Sequence, residues 1–390
     1  MAHMSIAESA EQLPGIEAHP HARAVLAPAL RERAGASHAY LFHGPSGTGK
    51  RAVAQAFAAA LLADETHDAQ SVRERIARGA HPDLTWVRPS GAAEMLVSDI
   101  EEPVVAAATR TPFESSRRVF VIEAVETMND QAANRMLKTL EEPADFVHLL
   151  LLTDRREDVL ATIVSRCQPV RFDPLPPQRI AQQIEAAESQ AGTAAQPLRA
   201  QACARLALGD ARLAARLASE QGAALRGAAE GFARAAFTDP SGERPWLRML
   251  EAAKAAGTQA GEQSQERLAE ELELVPAKER KKHEREGLEA RRRGERRART
   301  HALDLMLGLA ELWLRDVLCL CEGASELLYA VDRQDELQAD AQGRSGATLR
   351  AGIELLQDTR LRLRVNVSEE LALEALAYRL QALLAHDASA

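Results

Sequence analysis

The residues with the clearest chemistry are Gly44-Pro45-Ser46-Gly47-Thr48-Gly49-Lys50, a G-x-x-x-x-G-K run. In that pattern the glycines let successive backbone N–H groups converge on phosphate oxygens, and the lysine reaches the outer phosphates. The ligand expected is ATP or ADP. The eighth position of the motif should carry a Ser or Thr hydroxyl for Mg2+, and here it is Arg51. A cation does not ligate a cation, but Arg51 can contact phosphate directly, so nucleotide is expected to bind without the usual Mg2+ geometry, and binding must be treated separately from turnover. Hydrolysis on this design also needs two carboxylates, one for the metal and one to activate water. The apolar run Val119-Phe120-Val121-Ile122 ends instead in Glu123-Ala124. Glu123 reads either as a substitute metal ligand or as the polar end of an ordinary buried strand, and Ala124 cannot polarise water.

These residues need elements to place them. Residues 21–35 have a helical pattern, Ala39–His43 is a short apolar strand, and the glycine loop then opens a helix striped by Val53, Phe57, Ala60 and Leu61. A second helical pattern spans about 98–110 and leads to the strand at 119–122, two of whose residues are Val and one Ile. Asn129 is placed to cap a helix bearing Ala132, Ala133, Met136, Leu137 and Leu140, which should end near Pro143. Val147-His148-Leu149-Leu150-Leu151-Leu152 is a third buried strand. Such alternation predicts a parallel sheet with helices on both faces. Beyond Pro174 the strand signal ends, and helical patterns occupy 178–190, 197–207 and 210–220, followed by helix from about 223 with a loop at Asp239-Pro240-Ser241-Gly242 and a glycine-bearing break around 340–346.

Three further motifs occur in order: Asn134-Arg135-Met136-Leu137-Lys138-Thr139-Leu140-Glu141-Glu142-Pro143, then Thr153-Asp154, then Ser165-Arg166-Cys167. With the glycine loop and strand before them, they resemble the bacterial sliding-clamp-loader branch of the AAA+ superfamily. Within it, the gamma/tau motor subunits keep the loop hydroxyl and an Asp-Glu pair, whereas the delta-prime family often loses both and keeps Ser-Arg-Cys. This chain is similar to the latter. The resemblance implies an α/β AAA+ P-loop domain at 14–173 after a tail at 1–13, a helical lid at 174–222 and an all-α collar at 223–390. It also implies that Arg166 is an arginine finger presented in trans, that Thr153 stands at the sensor 1 position and that Arg212, in Gly209-Asp210-Ala211-Arg212, resembles sensor 2; a solvated helix face is an equal reading for Arg212. The implied partners are motor (gamma/tau) and delta subunits, with the sliding clamp and primer-template DNA reached through the complex. An autonomous ATPase working with Arg51 and Glu123 is the rival reading. Related subunits often carry a four-cysteine zinc module before His81-Pro82-Asp83-Leu84, but residues 62–80 hold no cysteine, so no zinc is expected and His67 and His81 are not ligands.

Composition is consistent with this reading. In 390 residues, 46% are apolar and 4% aromatic, which favours helix and all but excludes an all-β fold. Net charge is −9, against a stand-alone nucleic-acid binder. Residues 278–299 depart from that average, with eleven Lys or Arg against five Glu. They read as a solvated helix or connector, or as a contact for DNA phosphates. The stripe Leu303, Met306, Leu307, Ala310, Trp313, Leu314 and Val317 suits packing between domains or subunits, and equally a private core. The four cysteines, Cys167, Cys203, Cys319 and Cys321, have neither disulfide-framework nor zinc spacing, and Cys167 reads as packing. Met1-Ala2-His3-Met4 reads as a cloning remnant. Without a leader pattern or a long apolar run, the expected location is cytoplasmic, with no membrane partner.

Overall fold

A computed structural model of the chain describes residues 13, 15–31, 36–63, 69–90, 94–192, 194, 196–238, 244–274, 280–363 and 367–385. The expected loop at 239–242, and His67, lie outside them. The chain divides into two compact units, one of residues 1–176 with 209–211, the other of 177–208 with 212–390.

The first unit is built on five parallel strands, β1 (Ala39–His43), β2 (Leu84–Val87), β3 (Arg118–Ile122), β4 (Val147–Thr153) and β5 (Gln168–Arg171), in the order β2-β3-β4-β1-β5. Its helices are α1 (Pro20–Arg31), α2 (Lys50–Leu62), α3 (Ala69–Ala77), α4 (Val97–Ile100), α5 (Asp130–Glu141) and α6 (Ala161–Val164). Because strand side chains alternate, each central strand feeds two half-cores. Tyr40, Phe42, Val121, Leu150 and Leu152 meet Val53, Phe57 and Leu61 of α2, with Phe57 edge-on to Tyr40 at 5.2 Å. Leu41, Phe120, Leu149 and Leu151 meet Ala132, Met136 and Leu140 of α5 on the other face. Asn129 caps α5 as expected, its side chain accepting from Ala132 N at 2.9 Å. The helix expected over 98–110 is α only through Ile100 and continues as a π-helix over Glu101–Ala106. Pro103, which lacks an N–H and clashes with the preceding turn, is the local reason.

Two histidines, His148 buried and His43 half-buried, give this unit a pH profile. His148 in β4 is 3% exposed and donates from Nδ1 to Ser37 O at 3.0 Å. Burial, aided by Arg117 and His38 and only partly offset by that bond, pushes it down to about 4. His43, at the end of β1, is likewise pushed down to about 4 by burial and by Arg156, His21, Arg171 and Lys50. Both stay neutral when folded, while the unfolded chain takes up their protons below about pH 6.5. Their contribution is therefore complete above pH 6.5 and declines as pH falls toward 4, by up to about 1.4 kcal/mol per pH unit for each. Denaturant titrations at stepped pH should show that decline, and His148→Gln should roughly halve its slope.

The second unit is helical: α7 (Pro177–Gln190), α8 (Pro197–Leu206), α9 (Ala211–Ala218), α10 (Glu220–Ala235), α11 (Pro245–Leu274), α12 (Arg280–Cys321), α13 (Gln334–Ala341), α14 (Gly346–Leu363) and α15 (Glu369–Leu384). α12 is its spine, contacting α10, α11, α13 and α14. Leu303, Met306, Leu307, Ala310, Trp313, Leu314 and Val317 are all buried against these neighbours, and Trp313 Nε1 donates to Asp340 Oδ2 at 2.9 Å. The stripe is thus a core of this unit and is not available for packing between subunits. Among the described residues, no helix is long and apolar enough to cross a membrane.

Candidate functional site

Parallel strands carry their carboxyl ends to one edge of the sheet, and in such sheets the crevice outside those ends is where ligands bind. The loop after β1, Glu123 after β3 and Thr153 in β4 all stand there. β1 lies between β4 and β5, with His43 paired to Thr153 and to Arg171.

Gly44, Gly47 and Gly49 take φ of +145°, +69° and +91°, values that side chains rarely allow. At Gly44 the constraint is also spatial, since a Cβ would lie 2.0 Å from Phe172 O. Pro45 and Ser46 are exposed, and Thr48 is buried, its Oγ1 donating to Pro45 O at 3.0 Å and its carbonyl facing His19 Nε2 at 2.7 Å. Gly49 ends the loop, and α2 begins at Lys50. The loop thus turns from β1 into α2 through three glycines of positive φ.

What fills it differs from a phosphate site. Lys50 Nζ donates to Gly44 O and Pro45 O, both at 2.6 Å, and pairs with Asp154 Oδ1 at 2.8 Å, on a side chain only 7% exposed. Three donors meet three acceptors of the chain itself. Residues 209–211 belong to this unit, and Asp210 lies against the loop so closely that a Cβ on Gly47 would come within 1.6 Å of its Oδ1. That places a carboxylate beside the glycine where an anionic ligand would have to approach.

The metal position is altered in the same sense. Arg51 Nε pairs with Glu123 Oε1 at 3.1 Å and its guanidinium lies over the Trp86 ring at 5.5 Å. The same carboxylate oxygen accepts from Arg88 Nε at 3.2 Å and from Trp86 Nε1. Glu123 is therefore neutralised by two guanidiniums, and Arg51 supplies the positive charge that Mg2+ would have brought. These residues do not fit the metal. Among the described residues no cluster of three or more metal-ligating side chains occurs. Ala124 follows in a left-handed conformation, φ +54°, and offers no polar side chain.

Thr153 is buried at the end of β4, where its hydroxyl accepts from Arg155 N at 3.0 Å. Arg166 is not gathered to this loop. It is exposed just after α6, where it donates to Thr162 O at 2.8 Å and Ser165 Oγ at 3.3 Å and pairs with Glu141 at the end of α5. Cys167 beside it is core, with burial pushing its thiol up to about 12, so it is no nucleophile at neutral pH. Arg212 is exposed on the first turn of α9, in the helical unit. Of the partners of these residues, Asp154, Asp210 and Glu141 lie within the motifs and Trp86 and Arg88 in none, and no motif signals the pairings themselves.

Comparisons with known proteins agree with these motifs. The family described as "DNA polymerase III, delta subunit" matches residues 19–176. The chain is 37% identical over 150 residues to DNA polymerase III subunit delta' of Bacillus subtilis, covering 37% of this chain and 44% of that protein. It is 39% identical over 143 residues to the delta' subunit of Pseudomonas aeruginosa, covering 35% and 44%. To DNA polymerase III subunit tau of Escherichia coli it is 31% identical over 182 residues, covering 45% and 28%. The chain thus spans less than half the length of these curated relatives. Over residues 19–176 the chain is thus similar to DNA polymerase III subunits delta' and tau.

Proposed function

We propose that this chain is a non-hydrolysing clamp-loader subunit: it assembles with motor (gamma/tau) and delta subunits, presents Arg166 to ATP bound by a neighbour, and so helps load the sliding clamp on primed DNA. Residues 14–173 would be the AAA+ domain, 174–222 its lid and 223–390 the collar. The observation that carries the non-hydrolysing part is the Arg51–Glu123 ion pair, which puts a guanidinium where turnover needs a metal. Lys50, held by its own loop and Asp154, supports the same reading.

The chemistry of Arg166 supports the finger reading. Its planar guanidinium matches two oxygens at once, and in the isolated chain those of Glu141 and Thr162 serve. A transferring phosphoryl group carries more negative charge than one carboxylate, so exchange of Glu141 for phosphate is favourable once a neighbour offers it. The side chain then neutralises charge as it develops, which is what a finger contributes.

Purified alone, the chain should release no phosphate from Mg-ATP above background. Turnover of about 1 s⁻¹ or more, a common enzymatic rate, abolished by Lys50→Ala, would instead make it an autonomous ATPase. In the reconstituted complex, Lys50→Ala in this chain should leave total turnover unchanged.

A further inference from the structure

The site above makes no use of the basic segment, which now has a definite place. α11 and α12 run antiparallel as a long hairpin. A Cβ on Gly257 would come 3.0 Å from Glu295 O, and one on Gly287 would come 2.4 Å from Leu268 Cδ2, so Gly287 and Glu295 face α11. Arg291 lies between them on that face, bonded to Glu295 at 2.8 Å and to Gln265. At about 100° per residue, Arg285, Arg292 and Arg296 lie about 100–140° around α12 from Arg291, off the face that meets α11.

All three are exposed. Seven and four residues separate them, about 10 and 6 Å along the axis, and they deviate from one line by only about 20–40°. Neighbouring basic residues are engaged: Arg291 with Glu295, Arg293 with Glu289 at 3.8 Å, and Arg299 with Glu369. No carboxylate among the described residues pairs with Arg285, Arg292 or Arg296. A line of exposed guanidiniums with no ion-pair partner among the described residues, crossed by Glu289 alone among the described carboxylates, is in a chain of net charge −9 a local departure that core packing does not require.

We propose that this face of α12 docks the phosphate backbone of duplex DNA. The complementary partner must be a regular polyanion, because the stripe is charged along its length and Leu288 is the one large exposed apolar side chain described beside it. Protein interfaces bury an apolar centre, which this face does not offer. Residues 280–299 contain no aromatic side chain, so stacking on unpaired bases has no platform. The spacing of the three arginines is on the order of two to three phosphates along one strand, at about 3.4 Å of rise each. With eleven basic residues against five Glu in 278–299, the remaining chain is strongly acidic and repels DNA, which confines contact to the hairpin. The inference stands apart from the finger, since it needs neither Arg166 nor a neighbour's nucleotide.

The test is anisotropy of a labelled short duplex titrated with the full chain between about 50 and 200 mM salt. The combined variant Arg285→Gln, Arg292→Gln, Arg296→Gln should bind about 100-fold more weakly at the low-salt end. Its plot of log affinity against log salt should be shallower by about 3, near 0.9 per lost phosphate contact. Glutamine is a good helix former, so helicity and unfolding midpoint should be unchanged. A control with Arg78→Gln, Arg110→Gln and Arg350→Gln makes the same change in net charge elsewhere and should retain the wild-type slope. No binding by the wild-type chain, equal slopes for wild type and stripe variant, or equal loss in the control would overturn the proposal. So would unchanged duplex binding with loss of polyglutamate binding, which would assign the stripe to an acidic protein.

Discussion

Replacing Arg166 with alanine should lower ATP turnover at the neighbouring site by about 10³-fold or more while leaving the complex assembled, because a finger in trans contributes about 10³–10⁵ in rate. Loss on this scale needs a group that acts in the transition state. Removing an exposed ion pair such as Arg166–Glu141 costs at most about 1 kcal/mol of stability, so the fold should survive. Arg166→Lys keeps the charge but loses the planar fork and should recover only part of the rate. Because other sites in the complex can continue to turn over, the measurement must be read at the site beside this chain, for example by making the remaining motor sites inactive. Equal turnover for wild type and Arg166→Ala would remove the finger from the account.

The second large effect concerns Asp83, a fully buried carboxylate just before β2. It accepts three backbone N–H groups, from Phe113 at 2.6 Å and from Glu114 and Ser115 at 2.9 Å, and so pins the 113–115 loop to the sheet edge. Burial alone would raise its pKa, but the bonds from Phe113, Ser115 and Glu114, with His81 nearby, outweigh it and hold the carboxyl below its usual range. Asp83→Ala leaves those three donors without a partner, and at about 1.5–3 kcal/mol per charge-assisted bond, with overlap between them, about 4 kcal/mol of stability should be lost. Since the folded pKa is depressed, the stabilisation is complete above the unfolded value near 3.9 and is lost as pH falls through the folded one. Acid unfolding should therefore have two stages: the His43 and His148 decline between about pH 6.5 and 4, then an Asp83 step below pH 4 that the alanine variant lacks. Denaturant midpoints across that range would check both, and an unchanged midpoint for Asp83→Ala at pH 7 would contradict the role.

Much of this architecture could be read from residue patterns, and the reasons it was incomplete are physical. β1, β3 and β4 are buried on both faces and announce themselves as apolar runs. β2 and β5 are edge strands: Leu84-Thr85-Trp86-Val87 buries only its last residue fully, and Gln168-Pro169-Val170-Arg171 contains a proline tolerated only at an edge. α3, in the polar stretch before Gly79, has an apolar side made by little more than Val72 and Ile76 and escaped for the same reason. The glycine loop was legible because its chemistry is local in sequence. Its filling was not, because Lys50–Asp154, Gly47–Asp210 and Arg51–Glu123 join positions far apart in the chain. The apolar stripe on α12 allowed two outcomes until neighbouring helices were in place to cover it.

These features describe one design: a nucleotide-type loop satisfied by its own chain, a metal position taken by an ion pair, and a guanidinium at the surface still able to exchange its partner. The most direct examination of that last element is an experimental structure of the assembled complex with a transition-state analogue of phosphoryl transfer bound to the adjacent motor subunit. The account predicts that Arg166 has left Glu141 and lies at hydrogen-bond distance, about 2.9 Å, from the analogue's oxygens. Arg166 still paired with Glu141, and remote from any nucleotide, would contradict it.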